Sequence, residues 1–130
     1  MPGDPNTYVA IVDDDESVCR SLGRLLSVSG FLPVTFFSAE DFLDDRKRPH
    51  FDCLILDVQL DGISGIELAR RLVAVNDHTP FIFITAYDDP AAQAEAIALG
   101  CAGYFRKHDA GNSIIQTIRE AVCGKHSTTA

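Results

Sequence analysis

Residues 51–65 read FDCLILDVQLDGISG. The short apolar run Cys53-Leu54-Ile55-Leu56 stops at Asp57, and the Asp61-Gly62 and Ser64-Gly65 pairs that follow signal a turn into a helix. This predicts a buried strand that delivers one carboxylate to the rim of a sheet. In open α/β sheets ligands bind outside the carboxyl ends of the strands, so Asp57 stands where chemistry is expected before packing.

The pattern repeats on both sides. Tyr8-Val9-Ala10-Ile11-Val12 predicts a buried strand ending in four acids, Asp13-Asp14-Asp15-Glu16. Glu16 suits a solvated helix start, where acids favour the helix dipole, but a whole tetrad with no basic residue to offset its repulsion suits a site. Val18, Leu22, Leu25 and Leu26 then recur at helical spacing up to Gly30. Residues 31–37 are β-formers interrupted by Pro33, which removes a ladder donor and confines that strand to a sheet edge. Ser38 with Asp41, and Ser64 with Glu67, predict two helix starts of capping-box type. The first helix ends in the charged stretch 44–49, whose Arg46-Lys47-Arg48 triplet reads as a solvated turn. The second carries Ile66, Ala69, Leu72 and Val73.

Downstream, Pro80 opens the run Phe81-Ile82-Phe83-Ile84, which ends at Thr85-Ala86. Pro90 introduces an Ala-rich helix from Ala91 to Leu99, weakly anchored by its small side chains and therefore able to shift. Gly103-Tyr104-Phe105-Arg106 is a short fifth strand ending at Lys107, followed by a loop through Gly111. Ile114, Ile115, Ile118 and Val122 mark the last helix. The expected organisation is a flexible leader over 1–7, one domain over 8–124 and a fraying tail over 125–130.

At 130 residues with 46% hydrophobic content the chain has material for one core, and its apolar runs fall well short of the ~20 residues that span a bilayer. No membrane segment is expected, and the N-terminus lacks the blocks of a secretion signal, so a cytoplasmic location is expected. The four cysteines show no paired spacing and read as small buried hydrophobes or surface thiols in a reducing compartment. A net charge of −8 repels a phosphate backbone, which argues against direct nucleic-acid binding.

Five strand-then-helix units with short connections imply right-handed crossovers and a parallel sheet covered by helices on both faces, a doubly wound flavodoxin-like α/β fold. Pro33 at an edge fits the order 2-1-3-4-5, which brings the first and third strands together at the switch point. Asp13, Asp14, Asp57, Thr85 and Lys107 then share one rim. Clustered carboxylates need a compensating cation, and hard oxygen donors suit Mg²⁺. With an ammonium and a hydroxyl opposite, such a pocket can hold a phosphoryl group while Asp57 attacks phosphorus in line, giving an aspartyl phosphate.

The acid pair of IVDDDE (11–16), the Asp of LILDVQL (54–60), the Thr-Ala of FITA (83–86) and the Lys of GYFRK (103–107) resemble the receiver domain of two-component response regulators, with its chemotaxis-regulator-like fold. The resemblance covers Tyr8 to Gly124, and RSLGRLLSVSG (20–30) and SAEDFL (38–43) are most similar to receivers joined to helix-turn-helix transcription factors. It implies Asp57 as phosphoacceptor, with Mg²⁺ held by Asp13, Asp14, Asp57 and the backbone carbonyl of Gln59. Lys107 would pair with the phosphate, and Thr85 and Tyr104 would form a switch pair whose hydroxyl moves to the phosphate as the ring turns inward. The implied partners are a histidine kinase or phosphotransfer protein, and a target or second copy on the face of the fourth helix, fifth strand and fifth helix. The domain would be no enzyme beyond slow autodephosphorylation, and an output domain is not part of these residues.

Two positions depart from the family pattern. His108 stands where receivers usually have a proline, often in a cis bond; a cis non-proline bond costs about 3 kcal/mol, so a trans peptide and a locally different loop are expected there. Asp61 also stands in place of a proline and adds an acid near the site. Other readings compete. Asp13 to Ser17 fits the DxDx[ST] opening of haloacid-dehalogenase-like phosphatases, in which Asp13 would be the nucleophile, but Asp57 is then unexplained. A flavin module would need hydroxyls and glycines where this chain has acids, and a receiver-like interaction module that is never phosphorylated would not need the intact acid, hydroxyl and lysine set.

Overall fold

Each apolar run forms a strand and each periodic stretch a helix. A computed structural model of the chain describes residues 7–44, 50–107 and 111–127. In chain order the elements are β1 (Tyr8–Val12), α1 (Glu16–Val28), β2 (Leu32–Phe36), α2 (Ala39–Asp44), β3 (Cys53–Asp57), α3 (Gly65–Ala74), β4 (Phe81–Thr85), α4 (Pro90–Ala98), β5 (Gly103–Arg106) and α5 (Gly111–Ser127). All strand pairs are parallel and the order is β2-β1-β3-β4-β5, with Pro33 on the edge strand opposite Val9.

Successive strand side chains point to opposite faces, so a continuous apolar run fills two layers at once. Val9, Ile11, Cys53, Ile55, Ile82 and Ile84 pack with Leu26 of α1 and Ile114, Ile115 and Ile118 of α5. Ala10, Val12, Leu54, Leu56, Phe81 and Phe83 pack on the other side with Phe42 of α2, Leu68 and Leu72 of α3, and Ala92 and Ala96 of α4. Phe36, Phe42 and Phe51 close that layer near the edge, with Phe36 edge-on to both other rings.

The helix starts form as the serines predict. Ser38 Oγ accepts from Asp41 N–H at 3.0 Å and Ser64 Oγ from Glu67 N–H at 3.1 Å. Only half of the second capping box forms, because the Glu67 carboxylate turns outward to Arg70 and to Arg71 Nε, the latter at 3.1 Å. Helix α4 is held differently from α3. Asp89 caps it and Pro90 opens it, but only the methyls of Ala92 and Ala96 are buried, while α3 buries Gly65, Ile66, Leu68, Ala69 and Leu72. An exposed ion pair from Arg70 to Glu95 ties the two helices together.

Some expectations give way. Val73 is 43% exposed, and the fully buried Leu68 takes the place assigned to it on the apolar face of α3. Thr7, placed in the leader, is buried and its carbonyl accepts from Leu32 N–H at 2.9 Å, because the β1–β2 pairing reaches one residue further back. Helix α5 begins at Gly111 and runs to Ser127, since nothing in the sequence after Gly124 breaks the helical ladder and one interior glycine is tolerated. The Arg46-Lys47-Arg48 turn and His108 lie outside the described residues. Among the described residues no helix is long and apolar enough to cross a membrane.

Candidate functional site

Strand register builds the site. Val12 pairs with Leu56 and Asp57 with Ile84, so Asp13 and Asp57 emerge side by side from β1 and β3. Thr85 ends β4 opposite Arg106, and Lys107 N–H donates to the Thr85 carbonyl at 2.9 Å, which starts the lysine side chain at the same rim. Helix α3 comes close to this point. A Cβ on Gly65 would stand 2.0 Å from the Asp57 carbonyl oxygen, so only glycine lets the first turn of α3 sit on the backbone of Asp57.

The sequence-predicted acids separate into four environments. Asp13 and Asp57 are buried, at 0% and 1% exposure, and Asp14 is exposed. Asp15 is the N-cap of α1, accepting from Ser17 N–H at 2.9 Å and Val18 N–H at 3.3 Å, and Glu16 lies in the first turn. Half of the tetrad is therefore helix start, a role that an aspartate two residues before Ser17 signals but that the run of four acids obscured.

Lys107 Nζ lies 3.0 Å from Asp13 Oδ2 and 3.1 Å from Asp57 Oδ2. The other carboxylate oxygens take backbone donors: Asp13 Oδ1 accepts from Asp15 N–H at 2.9 Å and Asp57 Oδ1 from Gln59 N–H at 3.1 Å. Burial first, and then the neighbouring Asp13 carboxylate, push the Asp57 carboxyl up to about 7 against the pull of Lys107. Burial disfavours the Lys107 ammonium, yet Asp13 and Asp57 together outweigh that and hold it above the usual lysine range.

Charge is left over. Asp13, Asp14 and Asp57 each offer an oxygen within 4.8 Å of the others, against the single ammonium. Asp13 Oδ2 is buried and, despite its ion pair, has no directed hydrogen bond among the described residues. An oxygen-only donor set carrying an under-satisfied buried carboxylate fits a hard divalent cation such as Mg²⁺.

Thr85 is fully buried, with its hydroxyl 2.8 Å from Gln59 Oε1 and 3.0 Å from the Tyr87 carbonyl, and it accepts from Tyr87 N–H at 3.2 Å. The Tyr104 ring packs against Phe83 with centroids 6.4 Å apart, and its buried hydroxyl has no hydrogen-bond partner in good geometry among the described residues. Burial, reinforced by Asp89, raises the phenol above its usual range. Lys107 reaches both acids, and Asp61 is exposed in the β3–α3 loop. The side-chain bond of Gln59 to Thr85 and the Cys19 Sγ contact to the Asp13 carbonyl at 3.2 Å carry no local sequence signal.

The family model described as the response regulator receiver domain matches residues 9–119. The chain belongs to that family. The receiver is similar to the response regulator protein TmoT of Ectopseudomonas mendocina, at 33% identity over 119 residues covering 92% of this chain and 54% of that protein. It is also similar to the transcriptional regulatory protein FixJ of Azorhizobium caulinodans, at 35% identity over 114 residues covering 88% of this chain and 54% of that one. The crystal structure of FixJ-N superposes with a TM-score of 0.81 at 32% identity, covering 90% of this chain and 94% of the other. The receiver thus spans about half the length of the curated relatives it matches. Receivers are signalling domains of phosphorelays that interact with histidine kinases or phosphotransfer proteins and bind Mg²⁺ in an acidic pocket, and the cluster of Asp13, Asp14 and Asp57 supplies such a pocket here. This assignment disfavours the phosphatase reading of Asp13 and the flavin module.

Proposed function

We propose that this receiver accepts a phosphoryl group on Asp57 from a phosphohistidine of a kinase or phosphotransfer protein. The observation that carries this reading is the position of Asp57, buried at a strand end and sharing the Lys107 ammonium with the Asp13 carboxylate. An Asp57 carboxylate oxygen attacks phosphorus, the new O–P bond forms as the P–N bond to the donor imidazole breaks, and the imidazole leaves with the electron pair. Lys107, already 3.1 Å from Asp57, is placed to exchange that carboxylate for a phosphoryl oxygen. Asp13, Asp14, Asp57 and the Gln59 backbone carbonyl would hold Mg²⁺, which when bound neutralises charge on the phosphoryl oxygens. The dipole of the Gln59 N–H keeps the second Asp57 oxygen oriented.

Phosphorylation adds charge at the point where Thr85 sits, and Thr85 and Tyr104 form the pair that reads it. The Thr85 hydroxyl leaves Gln59 for the phosphoryl group, the Tyr104 ring follows, and the thinly anchored α4 is repositioned. The α4–β5–α5 face then meets a partner or a second copy. The domain acts as a phosphoryl acceptor rather than an enzyme, with slow autodephosphorylation at most. The similarity to transcriptional regulators supports an output on transcription through a further domain, with the acidic receiver itself making no nucleic-acid contact. Four cysteines without paired spacing suit a cytoplasmic setting.

The test is intact mass after incubation with Mg²⁺ and a small acyl phosphate. One hydroxylamine-labile phosphoryl adduct is expected, lost in Asp57→Asn and still formed, though more slowly for want of one metal ligand, in Asp13→Asn. Absence of any adduct, or an adduct indifferent to Asp57→Asn, overturns the proposal.

A further inference from the structure

The β3–α3 loop leaves the site under firm control. Val58 N–H donates to the Ile84 carbonyl at 3.0 Å and Gln59 N–H to Asp57 Oδ1 at 3.1 Å. Its far end is held from a different element. Glu40, in the first turn of α2, accepts from Ile63 N–H through Oε2 at 3.2 Å, across 23 residues of sequence. That approach depends on Gly62, which lies at φ +75°, because a Cβ there would stand 2.3 Å from the same Glu40 oxygen. The other oxygen, Oε1, is buried with no hydrogen-bond partner among the described residues. An orphaned buried carboxylate oxygen is unfavourable, so the bond from Ile63 N–H to Oε2 is made against an opposing cost.

We infer that Glu40 is a positioning residue for the metal site: by holding Ile63 it sets the course of the loop that presents the Gln59 backbone carbonyl. A proline at 61 would fix φ through its ring, whereas Asp61 leaves the loop free at that point and the bond from α2 restrains it instead. This rests on the proposed Mg²⁺ site, but the bond itself does not.

The test compares wild type, Glu40→Ala and Glu40→Gln by amide hydrogen exchange at Ile63 and by Mg²⁺ titration calorimetry, with thermal melts to verify folding. Glu40→Ala is expected to lose Ile63 protection and to weaken Mg²⁺ binding about three- to tenfold, the range set by one net hydrogen bond. Glu40→Gln keeps a carbonyl oxygen for Ile63 and is expected to restore both, although it removes the charge. If Glu40→Gln protects Ile63 yet binds Mg²⁺ as weakly as Glu40→Ala, the effect is one of charge and the inference is overturned. Unchanged Ile63 exchange in Glu40→Ala overturns it as well. A wild type that binds no Mg²⁺ brings down the proposed metal site and, with it, the positioning role, while the exchange data still decide whether Glu40 holds the loop.

Discussion

The Thr85 hydroxyl lies 2.8 Å from Gln59 Oε1, so the proposed switch group is held by a side chain two residues beyond the proposed phosphoacceptor. A hydroxyl has one proton to donate, and leaving for a phosphoryl oxygen breaks this bond. Gln59→Ala removes it while keeping the backbone carbonyl. One net hydrogen bond is worth about 0.5–1.5 kcal/mol, so the variant should bind a beryllofluoride phosphoryl analogue up to about tenfold more tightly. Equal affinities in the two proteins would mean that Gln59 does not restrain the switch.

Ionising Asp57 opposes folding when no metal is present. Its carboxyl is raised from 3.8 to about 7, so its contribution to stability is complete below the lower value and is lost as pH rises through the upper one. In chelator, the melting temperature of Asp57→Asn should rise relative to wild type between pH 5 and pH 8. A difference that stays constant across that range would contradict the raised carboxyl.

Lys107 is the ammonium between two buried carboxylates. Removing one partner of a buried ion pair costs about 3–5 kcal/mol, so Lys107→Met should lose stability of that order at pH 8 without metal. The loss should shrink toward pH 5, where Asp57 takes up a proton. Urea denaturation at the two pH values measures it, and a loss under 1 kcal/mol at both would place the lysine elsewhere in solution.

Thiol accessibility should follow burial. Cys123 is exposed and Cys101 partly so, whereas Cys53 is buried and Cys19, also buried, has its thiol pushed up to about 11 by burial and then by Asp13. An aromatic disulfide reagent at neutral pH should label Cys123 quickly and Cys101 more slowly, leaving two thiols until the protein unfolds. Cys123→Ser should abolish the fast phase.

The strands were legible because each apolar run ends abruptly at a polar residue, and the endings of β1, β3, β4 and β5 make up the candidate site. Asp13, Asp57, Thr85 and Lys107 could be assembled from sequence once Pro33 put β2 at an edge, since the strand order follows. Helix faces were less legible. Val73 and Leu68 are both apolar and both fit a helical period, and only the packing of α3 on the sheet decides that Leu68 is the buried one. The acid tetrad concealed a cap, because composition alone does not separate an aspartate that binds its own backbone from one that faces a pocket. The contacts Glu40–Ile63 and Gln59–Thr85 were out of reach, as each joins groups more than twenty residues apart through a single bond.

Helix α4 commits only two methyl groups to the core. Its outward residues, Ile97 and Ala94 among them, can therefore be exchanged during divergence at almost no expense to folding. On the proposed reading, the chemistry at the strand ends and the partner that reads α4 are then inherited separately: a duplicated gene can acquire a new listener while its phosphoryl acceptor site stays untouched.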